Sequence, residues 1–300
     1  MADRRPLKVA CQRQPVKVAF LGPEGTFSEE ALFTAIPRAD VEPVPKPTIY
    51  DCVMAVHEGG ADRALVPIEN SLEGSVNATL DALVFETDRV RIVGEMVHPI
   101  RHSLIAHDPL DLSEIERVIS HPQASAQCAR LLRTRLSGVE VVPAASTADA
   151  VQLVAGSTKP WAALGPRLAA ELYGCTVLLE GVEDTPGNET RFVWLEKQVV
   201  DLQADQPVSG GTDSVSYKTS VVFWGMPDAP GALVQVLQEF AARDVNLSKI
   251  ESRPLKQGLG RYIFFADLEG HESDEAIVSA LEAVRLHAET LRVLGTYPAG

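Results

Sequence analysis

The chain has 300 residues, 45% of them hydrophobic and 23% charged, with a formal net charge of −14. At roughly 100–200 residues per domain it holds two domains with sizeable cores. The acidic balance excludes a general nucleic-acid binder, which presents a basic face, but leaves room for a locally positive site that takes an anion. Cys11, Cys52, Cys128 and Cys175 form no C-x-x-C pair, so neither a zinc site nor a disulfide framework is indicated and a cytoplasmic setting fits. No apolar run approaches the ~18 residues of a membrane span. Residues 1–15 are polar and basic, lack a signal-peptide core and read as a disordered extension.

Val16 to Gly22 reads as a buried first strand. Thr26-Phe27-Ser28-Glu29 then has the form of a capping box ahead of a helix through Ala31-Leu32-Phe33. Ala64 to Ile68 is a strand, and Val76 to Leu83 a helix with Ser75 as N-cap. Arg91 to Val97 and Ser103 to Ala106 are strands. Val118-Ile119 leads into Ser120-His121-Pro122-Gln123, a second capping box with proline at the first helical position. Glu140 to Val142 is a strand, and Ser146-Thr147 caps a helix from Ala148 to Ala155. Trp161 to Leu164 is a strand, followed by a helix that Pro166 opens and Gly174 ends. This alternation is α/β.

Between Lys197 and Tyr217 the pattern stops, and the Asp, Gln, Ser and Gly composition reads as a linker, 198–217. The unit 218–297 follows. Thr219 to Trp224 is a strand. Gly231 to Ala242 is a helix with Leu233, Val236, Leu237, Phe240 and Ala241 on one face. Leu247 to Ser252 and Arg261 to Leu268 are strands around a turn at Lys256 to Gly260. Asp274 to His287 is a helix and Leu291 to Leu294 a strand. The order is βαββαβ, ferredoxin-like.

Familiar signatures are missing: no P-loop, no dinucleotide fingerprint, no H-E-x-x-H, no G-x-S-x-G. No cofactor and no metal are expected. Instead, hydroxyl-rich helix starts recur after strands, at Thr26/Ser28, Ser75, Ser120 and Thr147. Each alone is an ordinary cap. Gathered at the carboxyl ends of the strands of open α/β sheets, they would offer free N–H groups and dipole ends to an anion. Glu69, Asn70 and Ser71 sit beside a strand end, where Asn and Ser serve equally as turn formers or as ligands of a small polar substrate. In Asn188-Glu189-Thr190-Arg191-Phe192, Arg191 is either surface decoration or a bidentate carboxylate grip.

Together these segments resemble prephenate dehydratases. The family's order is kept through Gly22-Pro23-Glu24-Gly25-Thr26-Phe27-Ser28, Pro67 to Val76, Ser120-His121-Pro122-Gln123, Ser146-Thr147-Ala148, Ala163 to Arg167 and Asn188 to Phe192. Ser125 departs from the pattern, where an aliphatic residue is usual. The C-terminal unit is similar to the ACT domain of these enzymes, through Pro230-Gly231-Ala232-Leu233 and Ile250-Glu251-Ser252-Arg253-Pro254. The resemblance implies a catalytic region, 16–197, like type II periplasmic binding proteins, with the site between two lobes.

It also implies conversion of prephenate to phenylpyruvate, water and carbon dioxide. Thr190 is then the donor to the leaving oxygen, within a catalytic Thr190-Arg191-Phe192 segment. A threonine is too weak an acid to act unaided, and Glu69 or His121 is the expected relay partner. Thr26, Ser28, Asn70, Ser71, Ser75, Gln123, Thr147 and Asn188 are the remaining substrate-binding candidates. L-phenylalanine is the expected effector, held by Gly231, Ala232, Leu233, Val234, Asn246, Leu247, Glu251, Ser252, Arg253 and Pro254 across a homodimer or homotetramer interface. Read without the resemblance, Gly231 starts a helix and Arg253-Pro254 ends a strand. A chain ending at Lys197 is expected to stay active and lose its response to phenylalanine. Two rivals stand beside this reading: arogenate dehydratase, whose substrate ammonium would favour Glu69, Glu73 or Glu189, and a non-enzymatic amino-acid sensor.

Overall fold

The computed structural model describes residues 14–198 and 215–300; most of the expected extension and of the expected linker lies outside the described residues. The first lobe is built from β1 (Val16–Leu21), α1 (Phe27–Ala35), β2 (Val41–Lys46), α2 (Ile49–Glu58), β3 (Arg63–Asn70), the short β4 (Gly74–Ser75), α3 (Asn77–Asp81) and β5 (Val90–Pro99). The chain crosses to a second lobe of β6 (Ser103–Ala106), β7 (Arg117–Ser120), α4 (Pro122–Gln127), α5 (Ala129–Thr134), β8 (Glu140–Pro143), α6 (Thr147–Ala155), β9 (Trp161–Gly165), α7 (Arg167–Tyr173) and β10 (Thr176–Glu180). It returns to the first lobe as β11 (Glu189–Lys197).

The first sheet has the order β2-β1-β3-β11-β5, the second β10-β6-β9-β7-β8. Each lobe thus carries three adjacent parallel strands, one of them central, followed on one side by a strand that runs against them, β11 or β6, and by an outer strand antiparallel to that one, and the chain passes between the sheets twice. This is the two-lobed arrangement expected from the sequence. The parallel strands β1, β2 and β3, and likewise β7, β8 and β9, deliver their helix starts to the gap between the lobes.

The C-terminal unit runs β12 (Tyr217–Trp224), α8 (Ala232–Ala241), β13 (Leu247–Pro254), β14 (Tyr262–Glu269), α9 (Glu275–Val284) and β15 (Thr290–Pro298), with sheet order β13-β14-β12-β15. This is the expected βαββαβ order. Val221, Phe223, Ala266 and Leu268 pack on α8 and α9. Their neighbours in the alternation, Val222, Ile263 and Phe265, join Leu294 and Tyr297 in one continuous core with Leu80, Leu83, Ile92, Val193 and Leu195 of the first lobe. Arg292 donates to the carbonyls of Leu83, Val84 and Thr87, in and just after the wide helical turn Ala82–Glu86 that follows α3. The C-terminal unit is therefore an extension of the first lobe's core.

Several local expectations change. Thr26 is the N-cap of α1 but makes no side-chain cap: its Oγ1 donates to Leu21 O, and Glu29 instead accepts from Gly25 N at 2.5 Å. Burial raises the pKa of the Glu29 carboxyl, against that hydrogen bond. His121, not Ser120, caps α4, its Nδ1 accepting from Gln123 N at 3.3 Å, while Ser120 Oγ donates to His121 O. Ser75 lies in β4 and caps nothing. Ser146 does cap α6, accepting from Asp149 N at 3.0 Å.

Candidate active site

A cavity of about 400 Å³ opens between the lobes. Thr26, Phe27 and Ser28 at the start of α1, Pro67 and Asn70 on β3, and Asn188, Thr190 and Phe192 on the returning chain line one wall. His121, Gln123 and Gln127 at α4 and Ser146 and Thr147 at α6 line the other, with Ile100 and His102 in the crossover. No lysine, arginine, aspartate or glutamate is among the described lining residues.

The placement of Thr190 follows from strand geometry. On β11 successive side chains take opposite faces. Phe192 and Trp194 pack toward α1, Val193 and Leu195 into the core shared with the C-terminal unit. Thr190 thus shares the cavity face with Phe192, and Arg191 does not. On β3 the register against β11 shifts: Phe192 opposes Pro67, Arg191 opposes Glu69 and Thr190 opposes Asn70, leaving Ile68 as an extra residue. This β-bulge turns Asn70 into the cavity and Glu69 out of it.

Asn70 organises the wall. Its Nδ2 donates to Thr190 Oγ1 at 2.9 Å, Asn188 Oδ1 at 2.8 Å and Glu189 O at 3.1 Å. Its Oδ1 accepts from Leu72 N and Glu73 N, both at 3.0 Å, closing the turn into β4. Asn188 Nδ2 continues to Gln127 Oε1 at 3.3 Å, which also accepts from His102 Nε2 at 3.0 Å. The chain of side chains Thr190–Asn70–Asn188–Gln127 therefore runs from one lobe into the other. Burial lowers the His102 pKa, opposed by the Gln127 hydrogen bond and the Glu183 charge, so the ring is held neutral.

Of the residues expected from sequence, Thr190, Phe192, Thr26, Ser28, Asn70, His121, Gln123, Thr147 and Asn188 line the cavity. Ser71 lies just behind it, its Oγ accepting from Glu189 N at 3.0 Å. Arg191, Glu69 and Ser75 face the C-terminal unit. Arg191 lies 3.1 Å from Glu69 Oε2, 3.0 Å from Glu95 Oε2 and 2.8 Å from Asp267 Oδ2, and Ser75 Oγ donates to Glu251 Oε2 at 3.1 Å. Sequence reasoning misses Gln127 and His102. Gln127 is one helical turn beyond Gln123, a spacing that puts both on one face; His102 carries no sequence signal.

Alternation also divides the expected effector residues. Glu251 and Arg253 turn toward the first lobe, Arg253 reaching Asp81 with two contacts at 2.9 Å. Ser252 and Ile250 lie on the exposed side of β13, and Val234 is exposed on α8. Gly231 sits at the α8 N-cap with φ 85°, a left-handed conformation that explains glycine there. Nothing lies within 4 Å of where its Cβ would be, so crowding within the chain is not the reason.

A family model described as prephenate dehydratase matches residues 18–199, and one described as ACT domain matches 219–286. The chain is 40% identical over 294 residues to the prephenate dehydratase of Mycobacterium sp. (strain JLS), covering 95% of this chain and 89% of the relative. A solved prephenate dehydratase from Arthrobacter aurescens, in complex with L-Phe, has a TM-score of 0.82 and 37% identity, covering 95% of this chain and 90% of that one. A solved structure described as GqqA, a novel type of quorum quenching acylase, has a TM-score of 0.81 and 30% identity, covering 95% and 98%.

Proposed function

The chain belongs to the prephenate dehydratase family, and from that premise we propose that its cleft converts prephenate to phenylpyruvate, with L-phenylalanine as feedback effector at the ACT domain. The observation that carries this reading is the Asn70–Thr190 pair. Asn70 Nδ2 donates to Thr190 Oγ1, so the threonine's own proton is directed elsewhere, into the cavity.

In the reaction, the bond to the ring carboxylate breaks and carbon dioxide departs. The electron pair it leaves completes the aromatic ring as the ring C–O bond breaks. The hydroxyl takes up one proton and leaves as water. Thr190 donates to that oxygen. Positioned proton donation contributes ~10²–10⁴-fold, and fixed dipoles add to it. Glu69 is on the wrong face to replenish the proton. His121 accepts from Gln123 N through Nδ1, which leaves its proton on Nε2, and it lines the same cavity. With Nδ1 accepting, the ring's Nε2–H is a hydrogen-bond donor rather than an acid, so in this reading His121 helps orient the leaving oxygen beside Thr190 and the net proton comes from water.

The substrate carboxylates meet the Ser28 and Thr147 hydroxyls and the first turns of α1 and α6, whose free N–H groups favour anions. A lining free of acidic side chains favours the keto acid prephenate over arogenate, whose ammonium would find no carboxylate among the described lining residues. Thr190 has no hydrogen-bonded base among the described residues, which disfavours acyl transfer from its hydroxyl. The unpaired Cys52, Cys128 and Cys175 suit a cytoplasmic setting. The exposed Val234, and Ile250 on edge strand β13, suit a homo-oligomer paired through the ACT domains. Incubating the protein with prephenate and following phenylpyruvate tests the activity. Lack of product, or a higher kcat/KM with arogenate, removes this reading.

A further inference from the structure

Outside the cavity, the largest connected set of ion pairs among the described residues lies directly behind its wall. Arg191, Glu69 and Glu95 of the first lobe meet Lys218, Lys249 and Asp267 of the C-terminal domain. Lys218 Nζ lies 2.6 Å from Glu95 Oε1, and Lys249 Nζ lies 3.1 Å from Glu69 Oε2. Side-chain exposures of 3% for Glu95, 8% for Asp267, 11% for Lys249 and 12% for Arg191 mean that water does little of the screening there, while Glu69, 40% exposed, is the wetter member of the cluster. Burial would raise the Glu95 pKa; the hydrogen bonds from Lys218 Nζ and Gly300 N, with the Lys218 and Arg191 charges, hold it below the ordinary carboxylate value.

The cluster balances only when the domains are docked. The lobe supplies one cation and two anions, the C-terminal domain two cations and one anion. Each half alone would leave a charge without its partner, which is costly where it stays buried. The C-terminal half is itself fixed: Asp267 Oδ1 accepts from Ser220 Oγ at 2.6 Å, and Ser220 Oγ lies 2.7 Å from Tyr297 Oη.

The lobe residues in this cluster are the immediate neighbours of the reacting pair. Arg191 follows Thr190, Glu69 precedes Asn70, and the two pairs face each other across the bulge. A bulge leaves one residue out of the ladder, so the cross-strand match depends on what holds the side chains. Glu69 and Arg191 are held together by their own ion pair and by Lys249 and Asp267. Lys249 also donates to Ser75 Oγ at 2.9 Å, and Ser75 donates to Glu251 on the same strand of the C-terminal domain.

We propose that Arg191 is a positioning residue for Thr190 and that Asp267 and Lys249 set its position, so that the aim of the Thr190 hydroxyl depends on how the C-terminal domain is seated. Arg191 does not touch substrate. Lys249 and Glu251 share a strand and a face, so any movement of β13 reaches Glu69 directly. This assignment rests on the dehydratase reading for its kinetic consequences but not for its structural one.

The test uses the full chain and the variants Asp267→Asn and Lys249→Met, neither of which lines the cavity. Hydrogen exchange of residues 188–192 is expected to speed up in both. With prephenate, kcat is expected to fall about tenfold, the scale of a sub-ångström misplacement, with KM within about twofold of wild type. The double variant is expected to lose less than the product of the single losses, because both act on one cluster. Asp267→Glu, which keeps the charge, is expected to recover most of kcat. Unchanged exchange, or a rise in KM with kcat intact, overturns the assignment. If Asp267→Asn does not fold, Lys249→Met carries both readouts. A wild-type chain that makes no phenylpyruvate removes the functional reading, and the exchange data still decide the coupling.

Discussion

Asn70→Asp isolates the direction of one hydrogen bond. The carboxylate keeps the Oδ1 acceptor that closes the turn to Leu72 N and Glu73 N. It removes the donor that serves Thr190 Oγ1, Asn188 Oδ1 and Glu189 O. Losing the two bonds to Asn188 and Glu189, with the one to Thr190 reversed, costs about 1–3 kcal/mol. At ~2–4 °C per kcal/mol for a domain of this size the Tm drop is modest, and the variant stays folded at assay temperature. The chemical effect is larger. Thr190 must now donate to the introduced carboxylate, so its proton turns away from the substrate, and the ~10²–10⁴-fold contribution of positioned proton donation is lost from kcat. A new charge ~6 Å from a substrate carboxylate costs ~3 kcal/mol at an effective dielectric of ~20, about a hundredfold in KM.

The pH dependence fixes the sign of this effect. Below the pKa of the introduced carboxyl the group is neutral and again donates to Thr190; above it, the donor is gone and the charge present. Burial raises that pKa, so activity relative to wild type should recover as pH falls from about 7 toward 5. Phenylpyruvate formation by wild type and variant at matched pH is the assay. A variant within about threefold of wild-type kcat near pH 8, or a deficit that stays constant as pH falls, refutes the role given to Asn70.

A chain ending at Lys197, expected from sequence to stay active, would instead strip Val222, Ile263, Phe265, Leu294 and Tyr297 from the shared core, with ~1.5–3 kcal/mol of burial at stake for each large apolar side chain. Against a typical total stability of ~5–15 kcal/mol, this truncate is expected to aggregate or to melt without cooperativity; a sharp transition close to the wild-type Tm contradicts the continuous core. For His102, the folded pKa lies below its unfolded value of about 6.5, so the unfolded chain binds the extra proton and stability falls as pH drops through about 6.5. Thermal melts of His102→Asn between about pH 7 and 5 should lack that slope. In Gly165→Ala, the new Cβ would lie 2.7 Å from Val151 Cγ2 and 3.1 Å from Thr147 O, pushing the first turn of α6 out of line. That crowding should cost ~1–3 kcal/mol of stability and raise KM for prephenate more than it lowers kcat.

The lobes, the C-terminal unit and the cavity hydroxyls are legible because each rests on a local signal: a capped helix start, a proline at a first turn, a period of apolar residues. Helix α2 carries such a signal too, with Ile49, Cys52, Val53 and Val56 on one face and Thr48 accepting from Asp51 N, yet its cap lacks the Glu or Gln of a capping box and is easily passed over. The edge strand β2 is hidden by Pro43 and Pro45, residues that edge strands tolerate. The two sides of β11 are legible in principle: if Thr190 and Phe192 reach one face, Arg191 reaches the other. Grouping the three by motif obscures it. The sides of β3 are not legible. Strict alternation from Leu65 and Pro67 would put Glu69 in the cavity and turn Asn70 away, and only the paired register reveals the extra residue at Ile68. Glu69 looks like an acid for that reason.

The neutral lining of the cavity bears on how substrate arrives. The chain carries a net charge of −14, so a dianion approaches against the long-range field and meets no cationic side chain at the described cavity wall. Attraction begins only at contact distance, where helix ends and hydroxyls act. Capture is therefore unsteered, and added salt, by screening the repulsion over a Debye length of ~10 Å, should quicken encounter rather than slow it.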